Sequence, residues 1–144
     1  MIAGIGVDIV DVARLDAAIR RTPELAERLF TEAERAAASG RYASAEYLAS
    51  CFAAKEALAK VLGAPAGLRW TDAEVVRDRA GRPFLRLVGS VAAEADRQGI
   101  MGWHLSLSHD GGLCVAMVVG ERSGGLRGGT SEPGGTGEPG GAAR

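Results

Sequence analysis

Residues 44–65 read SAEYLASCFAAKEALAKVLGAP. Alanine, leucine, glutamate and lysine dominate the segment, and these are the strongest helix formers. Ser44 suits the N-cap, Gly63 the left-handed position just past the end, and Pro65 stops any continuation. The reading is one long helix over Ala45–Leu62, the central element of the fold. At 100° per residue from Leu48, its apolar stripe passes through Phe52, Ala59 and Leu62. Lys55 falls inside that stripe, and Glu56 and Lys60 share its flank with Ala49 and Ala53.

The elements on either side follow from simpler signals. Residues 2–10 form a strand rich in Ile and Val, with Gly4 and Gly6 allowing a neighbour to approach closely. Ala13–Arg21 is a short helix with Leu15 and Ile19 four apart. Thr22–Pro23 is a cap and first-turn signal for a second helix through Phe30. Thr31 and Glu34 fit a capping box that opens a helix through Ser39, ended at Gly40. C-terminal to the long helix, Asp72–Arg77 and Pro83–Val88 are strands joined by a turn over Arg79–Arg82 with Gly81 at its flexible position. Ser90–Arg97 is a helix closed at Gly99. Trp103–Ser108 alternates as a strand, Leu113–Val119 is nearly all apolar as in a buried strand, and Asp110–Gly112 turn between them. Helices gather early and antiparallel pairs late, so the class is α+β: an antiparallel sheet packed against one long central helix and shorter helices.

Composition narrows the function classes. The chain has 144 residues, 47% hydrophobic and 24% charged, with 17 Lys+Arg against 18 Asp+Glu. That balance argues against a general nucleic-acid binder, which needs a basic face. No apolar run is long enough to span a membrane, and the opening MIAGIGVDIVD has no basic leader, so no signal peptide is expected. Two cysteines make neither a disulfide framework nor a zinc site, and a cytoplasmic location is the simplest fit. The end of the chain, GERSGGLRGGTSEPGGTGEPGGAAR, has one sizeable apolar residue, Leu126. Such a stretch has little apolar area to offset its ordering entropy. The folded unit is expected over 1–120 and a flexible Gly/Pro-rich tail over 121–144.

Several charged residues stand out against this frame. Asp8 closes an apolar strand, where a strand-end or surface role is the ordinary explanation. Glu56 and Lys60 can be a simple i,i+4 pair of a few tenths of a kcal/mol, with Lys55 extending past the core. A strand carboxylate and a helix carboxylate can also hold Mg²⁺ shared with phosphate oxygens, with lysines offsetting the remaining phosphate charge. Ser106, Ser108 and His109 end a strand with two hydroxyls and an imidazole. Arg14, Arg20, Arg21 and Arg28 put positive charge on the early helices, largely offset by Asp16, Glu24 and Glu27. The opening Gly4-Ile5-Gly6-Val7-Asp8 is no dinucleotide fingerprint, because it lies within a strand and lacks the third glycine.

Taken together, these pieces resemble one family. Gly4-Ile5-Gly6-Val7-Asp8 with Arg14, Phe52-Ala53-Ala54-Lys55-Glu56-Ala57 with Lys60, Leu62 and Gly63, and Ser106-Leu107-Ser108-His109 are similar to the three ordered motifs of the holo-[acyl-carrier-protein] synthases. These are the small trimeric class of 4′-phosphopantetheinyl transferases. Trp70-Thr71-Asp72-Ala73-Glu74 and Gly81-Arg82-Pro83 stand in the expected order, and the passage from Gly63 to Trp70 is similar to actinobacterial members. The resemblance covers about residues 1–120 and implies the 4′-phosphopantetheinyl transferase fold.

It also implies a reaction. A serine of apo acyl carrier protein attacks the β-phosphate of coenzyme A, giving holo carrier protein and adenosine 3′,5′-bisphosphate. Asp8 and Glu56 would ligate Mg²⁺, with Mn²⁺ as an alternative, and Asp8, Glu56 and Lys60 would be the catalytic set. Lys55, Lys60, Ser108 and His109 would bind coenzyme A, His109 near the nucleotide phosphates; Lys55 could instead pair with a carboxylate in the site. The proton acceptor stays open between Glu56 and a water on the metal. Arg14, Arg21, Leu25 and Arg28 would dock the acidic carrier protein, by default that of fatty-acid biosynthesis. Each active site would lie between adjacent subunits of a homotrimer, with no nucleic acid or membrane involved.

One departure supports an alternative. Cys51 stands where the family commonly has arginine, removing a five-donor fork. The second reading is therefore a catalytically weakened homologue that binds coenzyme A or carrier protein without efficient transfer.

Overall fold

In the computed structural model, which describes residues 1–40 and 44–123, five strands and five α-helices follow in an α+β order, four of the helices in succession after the first strand. They are β1 (Ile2–Asp11), α1 (Val12–Arg21), α2 (Glu24–Leu29), α3 (Glu32–Ser39), α4 (Ser44–Val61), a 3₁₀ turn (Trp70–Asp72), β2 (Ala73–Arg77), β3 (Pro83–Leu87), α5 (Gly89–Arg97), β4 (Ile100–Asp110) and β5 (Leu113–Arg122). Three strands form an antiparallel sheet in the order β1-β5-β4, and β2-β3 is a separate hairpin. The β4–β5 turn is Gly111-Gly112, with φ of 55° and 79°, the left-handed pair that a two-residue hairpin requires.

Helix α4 lies on one face of the three-stranded sheet, against β1 and β5. The approach is close because both surfaces are small. A Cβ on Gly6 would stand 1.9 Å from the Ala57 carbonyl oxygen, and one on Gly120 would stand 2.8 Å from Val61 Cγ1. Ala53, Ala57 and Val61 share one buried core with Cys114, Ala116 and Val118. The same contact brings β1 residues 6–8 alongside the last two turns of α4.

The buried surface of α4 is wider than one stripe. Ala49, Cys51, Ala53, Ala54, Lys55, Ala57, Leu58 and Val61 are all buried, whereas Leu48, Phe52 and Ala59 are only half-buried. The helix is enclosed by the sheet on one side and by α1, α3 and β2 elsewhere. Alanines carry too little apolar signal for the sequence pattern to single out that burial.

One cap differs from expectation, and another comes from outside its helix. Thr22 ends α1, donating its backbone N–H to the Ala18 carbonyl, and α2 begins after Pro23 with no side-chain cap. Helix α5 starts at Gly89 behind Val88, which offers no capping oxygen. Asp72 supplies it from the 3₁₀ turn, accepting the backbone N–H of Ser90 at 2.8 Å and its hydroxyl at 2.7 Å. The capping box of α3 forms as read, with Thr31 and Glu34 bonding reciprocally.

The expected domain boundary at 120 falls inside a strand, since β5 continues to Arg122 and its backbone exchanges hydrogen bonds with Met1. Of the expected tail, 124–144 lies outside the described residues. Among the described residues no helix is long and apolar enough to cross a membrane.

Candidate active site

The sheet pleat sends alternate β1 side chains to opposite faces. Gly4, Gly6, Asp8 and Val10 turn toward α4, and Ile5, Val7 and Ile9 point away, each well exposed. Asp8 is thus held under the helix, with its side chain 18% exposed. One turn separates Glu56 from Lys60 on α4, so both reach the same edge of β1. The Lys60 ammonium donates to the Val7 carbonyl at 2.7 Å and to Asp8 Oδ1 at 3.0 Å. Partial burial raises the proton affinity of the Glu56 carboxyl, and the neighbouring Asp8 charge adds to it while Lys60 opposes it.

Asp8 and Glu56 open onto a cleft of about 290 Å³ between β1, α1 and α4, with Lys60 bonded to Asp8 outside its lining. Asp8 and Glu56 line its floor, Arg14 its α1 side, and Leu15, Ala18 and Phe52 give it an apolar wall. The sequence reading placed Phe52 in the apolar stripe and gave it no part in the site, although it stands one helical turn before Glu56. Its ring packs against Trp70 with centroids 5.8 Å apart. Asp11, also at the cleft, accepts the Arg14 backbone N–H at 2.9 Å as the N-cap of α1.

The donor set suits one kind of metal. Among the described residues no three His, Cys, Asp or Glu side chains converge as a ready-made site. Two carboxylates facing an open cleft fit Mg²⁺, which keeps waters and completes its shell with substrate phosphate oxygens.

Lys55 is not in this cleft, which corrects its reading as a coenzyme A ligand or a partner of a site carboxylate. It is 1% exposed, and its ammonium donates to the Leu29 carbonyl at 2.7 Å, Glu34 Oε2 at 2.7 Å and the Trp70 carbonyl at 3.1 Å. Residue 55 is 100° around the helix from residue 56, enough to move it from the cleft into the interior. Cys51 lies one turn before Lys55 on that interior face, 1% exposed, with burial pushing its thiol up to about 12. Its side chain therefore takes nothing away from the cleft.

Ser108 and His109 stand at the far end of β4, two strands from Asp8 in the sheet. Ser108 is exposed on the face away from α4, in register with Val115 and Ile9. His109 Nδ1 is 3.3 Å from Glu46 Oε1, near the start of α4. Within one chain neither meets the Asp8–Glu56 cleft. On α1 and α2, Arg14, Arg21 and Arg28 are exposed, and among the described residues none of the three carries an ion pair. Arg20 differs, being paired with Asp16 at 2.7 Å. Leu25 is half-buried against the core, so it offers only part of its surface.

The sequence profile of the 4′-phosphopantetheinyl transferase superfamily matches residues 4–118. The holo-[acyl-carrier-protein] synthase of Salinispora arenicola is 60% identical over 122 residues, covering 85% of this chain and all of that protein. Two solved structures agree. The holo-[acyl-carrier-protein] synthase of Neisseria meningitidis superposes with a TM-score of 0.76 at 31% identity, over 85% of this chain and 100% of the other. The holo-(acyl-carrier-protein) synthase from Bacillus anthracis, in complex with CoA (3′,5′-ADP), superposes at 0.70 with 35% identity, over 85% and 99%.

Proposed function

Since the chain belongs to the 4′-phosphopantetheinyl transferase superfamily and its activity is that of a holo-[acyl-carrier-protein] synthase, we propose that the Asp8–Glu56–Lys60 cleft is where coenzyme A gives up its phosphopantetheine. The carrier serine oxygen forms a bond to the β-phosphorus, the bond to the departing adenosine 3′,5′-bisphosphate breaks, and the serine proton is released. The observation that carries the assignment is a strand carboxylate and a helix carboxylate facing one open cleft, with an ammonium bonded to the first of them.

Asp8 and Glu56 are the residues that would hold Mg²⁺, which when bound supplies polarisation of the diphosphate oxygens. Lys60 holds its ammonium at Asp8, near enough to offset diphosphate charge that the two carboxylates would otherwise repel. Phe52 and Leu15 exclude water from one side of the cleft. Arg14, Arg21 and Arg28, exposed and unpaired among the described residues, form a basic strip running from the cleft along α1 and α2. An acidic carrier helix docked there would deliver its serine to the cleft mouth, with the partly exposed Leu25 alongside.

The working unit we infer is a homotrimer. Ile5, Val7 and Ile9 of β1 and Leu113 and Met117 of β5 lie on the sheet face away from α4, each 43–58% exposed. A contiguous apolar face of this size calls for a covering partner, and the face carries Ser108 at its β4 edge. Packing copies through it would bring Ser108, and His109 beside it, toward a neighbour's cleft, where they could bind the nucleotide end of coenzyme A. No observation favours a weakened homologue, because Cys51 faces the interior.

Chromatography of the reaction tests the chemistry. Adenosine 3′,5′-bisphosphate should form from coenzyme A only when apo acyl carrier protein and Mg²⁺ are both present, and EDTA should stop it. An acyl carrier protein that gains an acyl group with no bisphosphate released would overturn the reading.

A further inference from the structure

Next to Glu56 in sequence is the most heavily bonded buried charge among the described residues. Lys55 and Glu34 are each 1% exposed, and their contacts join separate elements. The three donors of the Lys55 ammonium are taken by the last residue of α2, by α3 and by the first residue of the 3₁₀ turn. Its charge also stands 5.5 Å from the centroid of the Phe30 ring. Glu34 in turn accepts the backbone N–H of Val75 on β2 through Oε1 at 2.9 Å, and that of Thr31 through Oε2 at 3.0 Å. The Thr31 hydroxyl continues to Glu74 at 2.6 Å, which also bonds Arg86 on β3.

We propose that Lys55 is a positioning residue for the reaction: a buried pin that fixes the rotation of α4 and hence the aim of Glu56 at Asp8. The inference rests on the transferase reading of the cleft. On the sheet side, α4 presents mostly alanine to glycine and small side chains, with Val61 the main projecting contact. Such a surface resists rotation weakly. A turn of 20° about the axis would move a carboxylate carried about 6 Å out by roughly 2 Å, and displacements of about 1 Å can cost a hundredfold in rate. Three directed bonds on the opposite side of the helix oppose that motion.

A second route leads from the same ammonium to the cleft. By holding the Trp70 carbonyl, Lys55 fixes the residue whose ring packs on Phe52, the wall beside Glu56. A buried ion pair is weak evidence for stability, because well-packed apolar replacements often serve as well. Directional bonding to three elements explains this pair better than stability does.

The test compares wild type with Lys55→Met/Glu34→Gln, which removes both charges together and leaves no unpaired buried ion. Lys55→Gln/Glu34→Gln, which also removes both charges but leaves hydrogen-bonding groups at both positions, is the second variant should the first not fold. Each folded protein is assayed for kcat and for KM toward apo acyl carrier protein. Mn²⁺ affinity is measured by electron paramagnetic resonance with coenzyme A present. We expect Lys55→Met/Glu34→Gln to lose about tenfold in kcat and about tenfold in Mn²⁺ affinity, the range seen when groups supporting metal ligands are removed. Lys55→Gln/Glu34→Gln should lose about threefold in each by the same mechanism. KM for the carrier should stay within about twofold, because the arginine strip is untouched. A folded variant with kcat and Mn²⁺ affinity equal to wild type would overturn the positioning role. Absence of transfer by wild type itself would instead overturn the reading of the cleft.

Discussion

Asp72 caps a helix it does not belong to, and its ionisation is tied to that cap. Two hydrogen bonds from Ser90, first from the hydroxyl and then from the backbone N–H, hold its carboxyl below the ordinary carboxylate range. A carboxyl with a depressed folded-state pKa stabilises the fold at pH values above its unfolded value of about 3.9, and that contribution fades as pH falls through the folded value. Asp72→Ala should therefore lower stability by about 1 kcal/mol at neutral pH, with the difference from wild type narrowing near pH 3. Urea unfolding midpoints at pH 7 and pH 3 check this. Both cysteines are buried, with burial raising both thiols, Cys51 to about 12. A thiol reagent at pH 8 should label neither in the native protein and both after unfolding.

Single residues also mark where sequence reading stops. The Thr31–Glu34 capping box was legible because both partners lie within one turn. That the same Glu34 carboxylate pairs with Lys55 was not, because the partner arrives from another helix. Asp72 as a cap was hidden for the same reason, its helix beginning at Gly89. Asp8 and Glu56 are brought together by tertiary contact, and their spacing alone says nothing of it. Gly6 carried the one local hint, a strand prepared for close approach.

At the scale of elements, α1 and α2 carry the exposed Arg14, Arg21 and Arg28, whose proposed docking role can be separated from chemistry. Arg21→Glu and Arg28→Glu lie away from the cleft carboxylates, so they should raise KM for apo acyl carrier protein about fivefold to tenfold each while kcat changes little. The effect should shrink in high salt, since exposed charges are screened over about 10 Å at 0.1 M. A salt titration of steady-state kinetics reads both. The C-terminal end of α4 was legible from Gly63 and Pro65, and its inward faces were not. Alanine satisfies every face of a helix, so the pattern could not say that the sheet would claim Ala53 and Ala57, and the α3 side Cys51 and Lys55.

For the molecule as a whole, the unmatched sheet face is the controlling feature. The antiparallel order was readable from the late strands and their turns, and nearly every residue of Leu113–Val119 is apolar although only one face of β5 meets the core, Leu113 and Met117 being exposed on the other. One face is the core. The other, with Val7, Ile9 and Met117, is where we place the subunit contact. Met117→Lys in the middle of that face should convert the assembly to single chains by light scattering. Transfer should be lost with it, because Ser108 and His109 would no longer reach a neighbouring cleft.

The most direct measurement is the intact mass of apo acyl carrier protein after incubation with this protein, coenzyme A and Mg²⁺, run beside Asp8→Ala and Glu56→Ala. The account predicts a gain of about 340 Da on the carrier with wild type, the mass of the transferred phosphopantetheine group. Either substitution should slow that gain by about a thousandfold or more, as expected when a metal-holding carboxylate is lost. A carrier modified as fast by either variant as by wild type would contradict the assignment of the carboxylate pair. A carrier left unmodified by folded wild-type protein would contradict the transferase itself.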